Sequence, residues 1–207
     1  MNDSKVLFVA CSLIIGCSTD DKLATSNTEQ EALSGPTITK AGDSWAMVIS
    51  SSPEVGLYIN GSTQLGAFLI ATYDLDSSLT DATGSFTVTP AVDAAFVYTL
   101  RGSGTGYSGK QLRLQRRPGS DQLEAAASTG SVSCGVIASG TATPVTLQFN
   151  AASHTFTVLI NGAASMCTSL PTKLQPPIVG FHLMDASNED WGGEVEFRNL
   201  TLQPPVL

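Results

Sequence analysis

The most chemically suggestive stretch of the sequence is an acidic segment over residues 185–191. Asp185, Glu189 and Asp190 carry carboxylates and Asn188 carries an amide, which are the hard oxygen ligands that Ca²⁺ prefers. Their spacing matches no specific calcium motif, so an ordinary solvated acidic loop is the alternative. Trp191 offers a flat apolar face to a sugar ring or, equally, a cap for the end of a folded body. We therefore treat Ca²⁺ as a possible cofactor, and Trp191 and Asn188 as candidate ligand-binding residues.

Residues that could catalyse a reaction are few. Glu194 and Glu196 alternate along one strand and share a face, which is typical of a solvated strand surface. The chain has two histidines: His154 lies in a polar turn, and His182 lies within an apolar strand, where a hydrogen-bonded sheet histidine is expected. The sequence contains no G-x-S-x-G elbow. It assigns no catalytic residue and disfavours an enzyme.

The segment 104–109 satisfies G-x-G-x-x-G literally. It lies between two strands with no following helix to receive a pyrophosphate, so the pattern predicts a hairpin loop and not a nucleotide site. Tyr107 in this loop is a further candidate ligand-binding residue.

The N-terminal region predicts export. One Lys precedes an apolar run of 11 residues (6–16), which is too short to span a bilayer as a helix and is typical of a secretory signal. The sequence LIIGC that ends at Cys17 resembles the lipobox of bacterial lipoproteins, which implies an acylated Cys17 as mature N-terminus. An ordinary secretory signal cleaved nearby is the alternative, although no A-x-A-like site is present. Ser18 then implies the outer membrane. We expect a signal peptide over 1–16, a lipid-anchored tether over 17–36 and a β-sandwich domain over 37–207.

Two cysteines remain in the predicted domain, Cys134 and Cys167. In an exported chain the simplest interpretation is a disulfide between them. A nucleophile or a metal site is the alternative, although neither residue has a nearby histidine and no C-x-x-C is present.

Hydrophobic periodicity predicts strands nearly throughout the domain. Short runs that alternate apolar and polar residues recur at 55–60, 67–73, 85–89, 95–100, 111–115, 145–149, 155–160, 178–184 and 194–202, and 121–127 is interpreted as a further strand. Asn60-Gly61 and Asn161-Gly162 predict type I′ hairpins. Trp45 is predicted to begin a strand and enter the core, and a phase change predicts a bulge near Arg198-Asn199. More than ten strands without helices predict a two-sheet antiparallel jelly-roll sandwich.

The second half of the domain resembles a known family. The segments KQLRLQRRPGSDQLEAAAS (110–128), PVTLQFNAASHTFTVLINGAASMC (144–167), PIVGFHLMD (177–185) and GGEVEFRNLTL (192–202) are similar to concanavalin A-like lectin/glucanase domains, including laminin G-like modules. The resemblance implies the fold and, in such relatives, calcium at a loop rim. Laminarinase-type hydrolases of this fold carry an E-x-D-x-x-E run, which this chain lacks.

Charge and the predicted fold limit the classes of function to be considered. The chain has 10 Lys and Arg against 18 Asp and Glu, a net charge of -8, which excludes binding to phosphate backbones and hence nucleic acid as a partner. We expect a lipid-anchored envelope module that binds a glycan or glycoconjugate without cleaving it. A polysaccharide hydrolase or lyase using Glu194, Glu196 or Asp185, and a structural or adhesive module for a protein partner, are the alternatives. A groove lined by paired carboxylates would favour catalysis.

Overall fold

The computed structural model of the 207-residue chain describes residues 33, 35–51, 54–62, 67–103, 111–127, 130–185 and 193–205. Within these ranges the backbone forms strands and no helix, so none of the described residues forms a helix that could cross a membrane. The strands are β1 (Thr37–Ala41), β2 (Trp45–Ser51), β3 (Glu54–Gly61), β4 (Phe68–Leu79), β5 (Ala82–Pro90), β6 (Phe96–Gly102), β7 (Gln111–Arg116), β8 (Gln122–Ala127), β9 (Gly130–Val136), β10 (Thr143–Asn150), β11 (Thr155–Ile160), β12 (Ala163–Ala164), β13 (Leu170–Pro171), β14 (Ile178–Met184) and β15 (Gly193–Gln203).

The strands form two antiparallel sheets. A seven-stranded sheet has the order β1-β4-β14-β6-β7-β8-β9, and an eight-stranded sheet has the order β12-β11-β10-β5-β15-β3-β2 with β13 paired to β11. Consecutive strands β3 and β4, β5 and β6, and β9 and β10 lie in different sheets, so the chain crosses the sandwich repeatedly. This architecture confirms the predicted two-sheet fold.

Period-two alternation decides which side of each strand faces the core. In β5 every second residue is buried, and Phe86 and Val88 point between the sheets while Thr87 and Thr89 point outward. The predicted alternation of β7 is confirmed: Leu112 and Leu114 are fully buried between polar neighbours. Each sheet therefore contributes one apolar face to a common core.

Aromatic rings join the two sheets at the centre of this core. Phe86 stacks on Tyr98 at 4.9 Å between ring centroids, Tyr98 on Phe181 at 5.2 Å, and Phe181 on Tyr73 at 4.7 Å. The stack needs a glycine opposite it, because a Cβ on Gly84 would lie 2.4 Å from the Tyr98 hydroxyl. Burial raises the pKa of the Tyr73 and Tyr98 phenols well above its usual value.

A buried arginine fixes three connections at one end of the sandwich. The Arg116 side chain is 1% exposed, and its Nε donates to the Ile137 carbonyl at 3.1 Å. Its Nη1 donates to the Ala94 carbonyl, and its Nη2 donates to the Asp121 carboxylate and the Ser139 hydroxyl. The buried charge is thus compensated by four acceptors in three connections.

The predicted disulfide is confirmed. Cys134 in β9 is bonded to Cys167, 33 residues later, just beyond β12. Because β9 is the edge of one sheet and β12 the edge of the other, the bond ties the two sheets together on this side.

Several local predictions can be compared with the backbone. Asn161 and Gly162 have positive φ values of 54° and 75°, which confirms a turn there. The bulge near Arg198 is confirmed by a register shift between Arg198 and Thr201 against β5. The predicted hairpin at Asn60-Gly61 is wrong, because these residues end β3, where Asn60 pairs with β2 and β15 and Gly61 with β15, while the next strand belongs to the other sheet.

The prediction that Trp45 enters the core is also wrong. Trp45 begins β2, as expected, but its side chain is 44% exposed. Its register partner is Asn60. In β3, Leu57 and Ile59 face the core, and Asn60 lies on the opposite side of the strand. Trp45 therefore lies on the outer face of the eight-stranded sheet, which is also the face of the candidate site described below.

Candidate functional site

The outer face of the eight-stranded sheet carries a group of residues that we call the aromatic patch: Trp45, Tyr58, Asn60, Glu194 and Glu196. Strand register brings them together, because Trp45 lies opposite Asn60, Asn60 opposite Glu194, and Tyr58 opposite Glu196. Three adjacent strands, β2, β3 and β15, hold the patch, so its members are positioned by backbone ladders and not by loops.

Two aromatic rings form the apolar part of the patch. The ring centroids of Trp45 and Tyr58 are 5.4 Å apart, with an interplanar angle of 37°. Trp45 is restrained by this contact while nearly half of its surface stays open to solvent. An exposed and restrained indole face suits the C–H face of a sugar ring, because such contacts bury apolar surface at a low conformational cost.

Polar groups adjoin the rings. The Asn60 Nδ2 donates to the Glu194 Oε1 at 3.5 Å. Burial, a hydrogen bond to Glu194, and the negative charges of Glu194 and Glu196 together raise the pKa of the Tyr58 hydroxyl. The Tyr58 O–H therefore donates to Glu194. The other hydrogen-bonding positions of the carboxylates and of the Asn60 amide can bond to ligand hydroxyls.

The second carboxylate of the patch is held in an ion-pair network. The Arg198 guanidinium donates to Glu196, and its Nη1 lies 3.4 Å from the Glu54 carboxylate. Hydrogen bonding to Glu196, and the charges of Glu196 and Glu54, raise the pKa of Arg198. Glu196 is thereby oriented along β15, and the patch with its neighbours carries three carboxylates against one guanidinium.

The outer face of the other sheet differs. Its central strand β6 is buried on both sides, with outward-pointing Val97 fully buried and Thr99 3% exposed. His182 in β14 lies next to Thr72 in register, and its Nδ1 is 2.9 Å from the Thr72 Oγ1, which agrees with the predicted sheet histidine. Burial and the charge of Arg101 lower the pKa of His182 to about 4, against an opposing effect of Asp74. His182 is thus neutral at physiological pH.

Asp185 is the one predicted metal ligand that the structure describes. It is fully buried, and one carboxylate oxygen accepts from the Ser44 hydroxyl at 2.8 Å while the other accepts from the Leu69 amide at 3.1 Å. Ser44 also accepts from the Ser62 amide. Asp185 therefore ties β14 to β4 and to the turn before β2.

The other predicted site residues lie outside the described residues: Tyr107, Asn188, Glu189, Asp190 and Trp191, together with the lipidation site Cys17. Among the residues that the structure describes, no group of three or more His, Cys, Asp or Glu side chains could hold a metal ion. The possible calcium site therefore stays a prediction.

Sequence reasoning placed Glu194 and Glu196 on one face but missed Trp45, Tyr58 and Asn60. The alternation in β2 points the wrong way, because Trp45, Met47 and Ile49 share one face of the strand, and large apolar residues on one face predict the core. In the structure that face is the outer one, where Trp45 is 44% and Met47 is 55% exposed.

No protein-family model and no curated protein sequence matches this chain. Among solved structures, the chain is similar to a sialidase, with a TM-score of 0.57 at 10% identity over 84% of this chain and 19% of that protein. The potassium-bound carbohydrate recognition domain of Emp46p gives a TM-score of 0.53 at 13% identity over 84% and 90% of the two chains. The carbohydrate-binding module CBM66 from Bacillus subtilis gives 0.50 at 10% identity over 82% and 96%.

At these identities the likeness establishes the fold and nothing further. The chain spans about a fifth of the sialidase but nearly all of the other two proteins. Together with the two antiparallel sheets, this places the chain among the all-β jelly-roll sandwiches, as the sequence predicts.

Proposed function

We propose that this protein is a lipid-anchored module of the bacterial cell envelope that binds a glycan or glycoconjugate through the aromatic patch and does not cleave it. The observation that carries the proposal is the pairing of a half-exposed Trp45 with Tyr58 beside the Asn60 amide and two carboxylates. This combination suits sugar recognition, because a pyranose has apolar C–H faces and a rim of hydroxyls that donate and accept hydrogen bonds.

The structural neighbours support this choice of ligand class. Two of the proteins with this fold are named as a carbohydrate recognition domain and a carbohydrate-binding module, and each is covered almost entirely by the alignment. Fold alone does not determine function, so the patch and not the neighbours must carry the argument.

The anchoring part of the proposal rests on the sequence. The apolar run that ends at Cys17 supports lipidation at that cysteine and, with Ser18, location at the outer membrane. The disulfide between Cys134 and Cys167 agrees with an oxidising compartment outside the cytosol. Metabolic labelling with palmitate tests this part: we expect label in the wild-type chain and none in Cys17→Ser, and an unlabelled wild-type chain would refute lipidation.

A second candidate function is cleavage of a polysaccharide. Glu194 and Glu196 favour it, since they share the exposed face of β15 with a strand spacing of about 7 Å between them. Glycosidases place two carboxylates on either side of the scissile bond. However, Arg198 pairs with Glu196, and Tyr58 and Asn60 engage Glu194, so both carboxylates already have protein partners.

One experiment separates the two functions. The protein is incubated with insoluble cell-wall polysaccharides and a glycan array at millimolar Ca²⁺, and retention and released reducing ends are both measured. Retention that Trp45→Ala weakens, with no release of reducing ends, supports the binding module. Release that Glu194→Gln or Glu196→Gln abolishes would establish the hydrolase, and the absence of any retention would remove the glycan-binding proposal.

A further inference from the structure

A cleft lies on the same sheet, away from the aromatic patch. We call it the hairpin cleft; it has a volume of about 350 Å³ and lies where the β10–β11 hairpin meets the start of β5 and the chain after β15. This volume falls within the range of small-molecule sites. The lining residues are Thr83, Gln148, Phe149, Asn150, Ser153, Thr155, Phe156, Thr157, Ser169 and Pro205.

The lining of the hairpin cleft combines polar and apolar residues and carries no ionisable side chain. Five of its residues are Ser or Thr, two are amides, and Phe149, Phe156 and Pro205 are apolar. A charged ligand would enter without a partner for its charge, which is unfavourable. Hydroxyl and amide groups, in contrast, both donate and accept, and they match the hydroxyls of an uncharged sugar.

Hydrogen bonds within the wall hold these groups in place before a ligand arrives. The Asn150 Oδ1 accepts from the Ser153 amide at 2.9 Å and from the Ser153 hydroxyl at 2.8 Å, while the Asn150 Nδ2 has no acceptor in the part of the chain that the structure describes. The Thr157 Oγ1 accepts from the Ser169 amide at 3.0 Å and keeps its own proton to donate. The exposed Gln148 amide has no partner among the described residues. Such preorganisation lowers the entropy cost of binding.

The cleft and the patch are separate sites on one face. Thr83 lines the cleft, and Thr89, six residues further along the outward row of β5, pairs with Glu196 of the patch. Six residues of strand span about 20 Å. A monosaccharide cannot reach both sites, whereas a polysaccharide chain can.

We propose that the hairpin cleft is a second binding site, specific for an uncharged saccharide unit. The inference goes beyond the proposed function because the cleft shares no residue with the aromatic patch. A protein with both sites binds a long neutral glycan more tightly than a short one, since the second contact becomes intramolecular.

The test uses side-chain amide resonances, which report on each site separately. The full chain with Cys17→Ser is labelled with ¹⁵N and titrated with cellohexaose, laminarihexaose and maltohexaose, and with hexagalacturonate as a charged comparison. Gln148 and Asn150 report on the cleft, and Asn60 reports on the patch. We expect saturable shifts of Gln148 and Asn150 with at least one neutral hexasaccharide, which persist in Trp45→Ala and are absent with hexagalacturonate.

A matched pair of variants tests the role of the lining. Thr83→Val removes a cleft hydroxyl, and Thr87→Val removes the equivalent hydroxyl four residues along the same outward row, outside the cleft. We expect Thr83→Val to weaken binding at the cleft several-fold and Thr87→Val to leave it unchanged.

Two results would overturn the proposal. One is shifts of Asn60 without shifts of Gln148 and Asn150 for all three neutral probes, which would leave the aromatic patch as proposed. The other is equal binding of hexagalacturonate, which would contradict a neutral ligand. Cleft shifts without any shift of Asn60 would support the cleft and count against the proposed function of the patch.

Discussion

Replacement of Trp45 by alanine is the sharpest test of the aromatic patch. The change removes the indole and leaves the backbone pairing between β2 and β3 intact. Trp45 is 44% exposed and its ring contact in the protein is with Tyr58, so the loss of that contact costs the fold about 0.5–1.5 kcal/mol. A fold of ordinary stability tolerates this cost.

The effect on binding can be estimated in the same way. An aromatic face stacked on a sugar contributes about 0.5–1.5 kcal/mol, which corresponds to an affinity about 2- to 13-fold weaker without it. We expect Trp45→Phe to lose less, because the phenyl ring keeps part of the stacking surface. The measurement is titration calorimetry with a polysaccharide that retains the wild-type protein, after circular dichroism has verified that each variant is folded.

Met47→Ala is the matched control for Trp45→Ala. Met47 lies two residues along the same strand, on the same outward face, and is 55% exposed, but it has no ring. We expect it to bind as the wild type does. Trp45→Ala with wild-type affinity, or Met47→Ala with an equal loss, would refute stacking on Trp45 as the basis of recognition.

Three further predictions concern the fold that supports the sites. Arg116→Met should lower the free energy of unfolding by about 3–5 kcal/mol in urea titrations, because it leaves buried carbonyls without donors. A loss below about 1 kcal/mol would contradict a stabilising role for the Arg116 hydrogen bonds. His182 has a folded pKa near 4 against 6.5 unfolded, so the free energy of unfolding should fall as the pH drops from 6.5 to 4. His182→Asn should weaken the dependence of the free energy of unfolding on pH in this range. An equal dependence on pH in the two proteins would show that His182 does not cause it. Replacing both Cys134 and Cys167 by serine should cost about 3–4 kcal/mol in thermal or urea unfolding, and an unchanged midpoint would contradict the cross-link model.

Most of the strands were predictable because their signal is local. Alternation within 155–160 and 178–184 reproduces β11 and β14 to the residue, since each strand has one apolar face that must be buried. The disulfide followed from the count of cysteines left in an exported chain. These inferences need no knowledge of which strand pairs with which.

The aromatic patch was not predictable because it depends on pairing. Nothing in the local sequence shows that Trp45 lies opposite Asn60, or that Asn60 also lies opposite Glu194. The hairpin predicted at Asn60-Gly61 is wrong for the same reason. The dipeptide favours a tight turn, but pairing of Asn60 with strands on both sides extends β3 to Gly61. A site made by neighbouring strands becomes visible only when the order of the strands is known.

The contrast between the two outer faces decides where an extended ligand can bind. On the seven-stranded sheet, outward Val97 and Thr99 at the central strand are closed to solvent, so these two side chains offer a ligand no surface to contact. On the eight-stranded sheet, the central strand β5 presents a partly exposed row of Thr83, Ser85, Thr87 and Thr89. Short hydroxyl side chains leave room for a ligand and can hydrogen-bond to it along its length. The open face, with aromatic rings at one end and a neutral cleft at the other, is therefore the face on which we propose that a glycan chain binds.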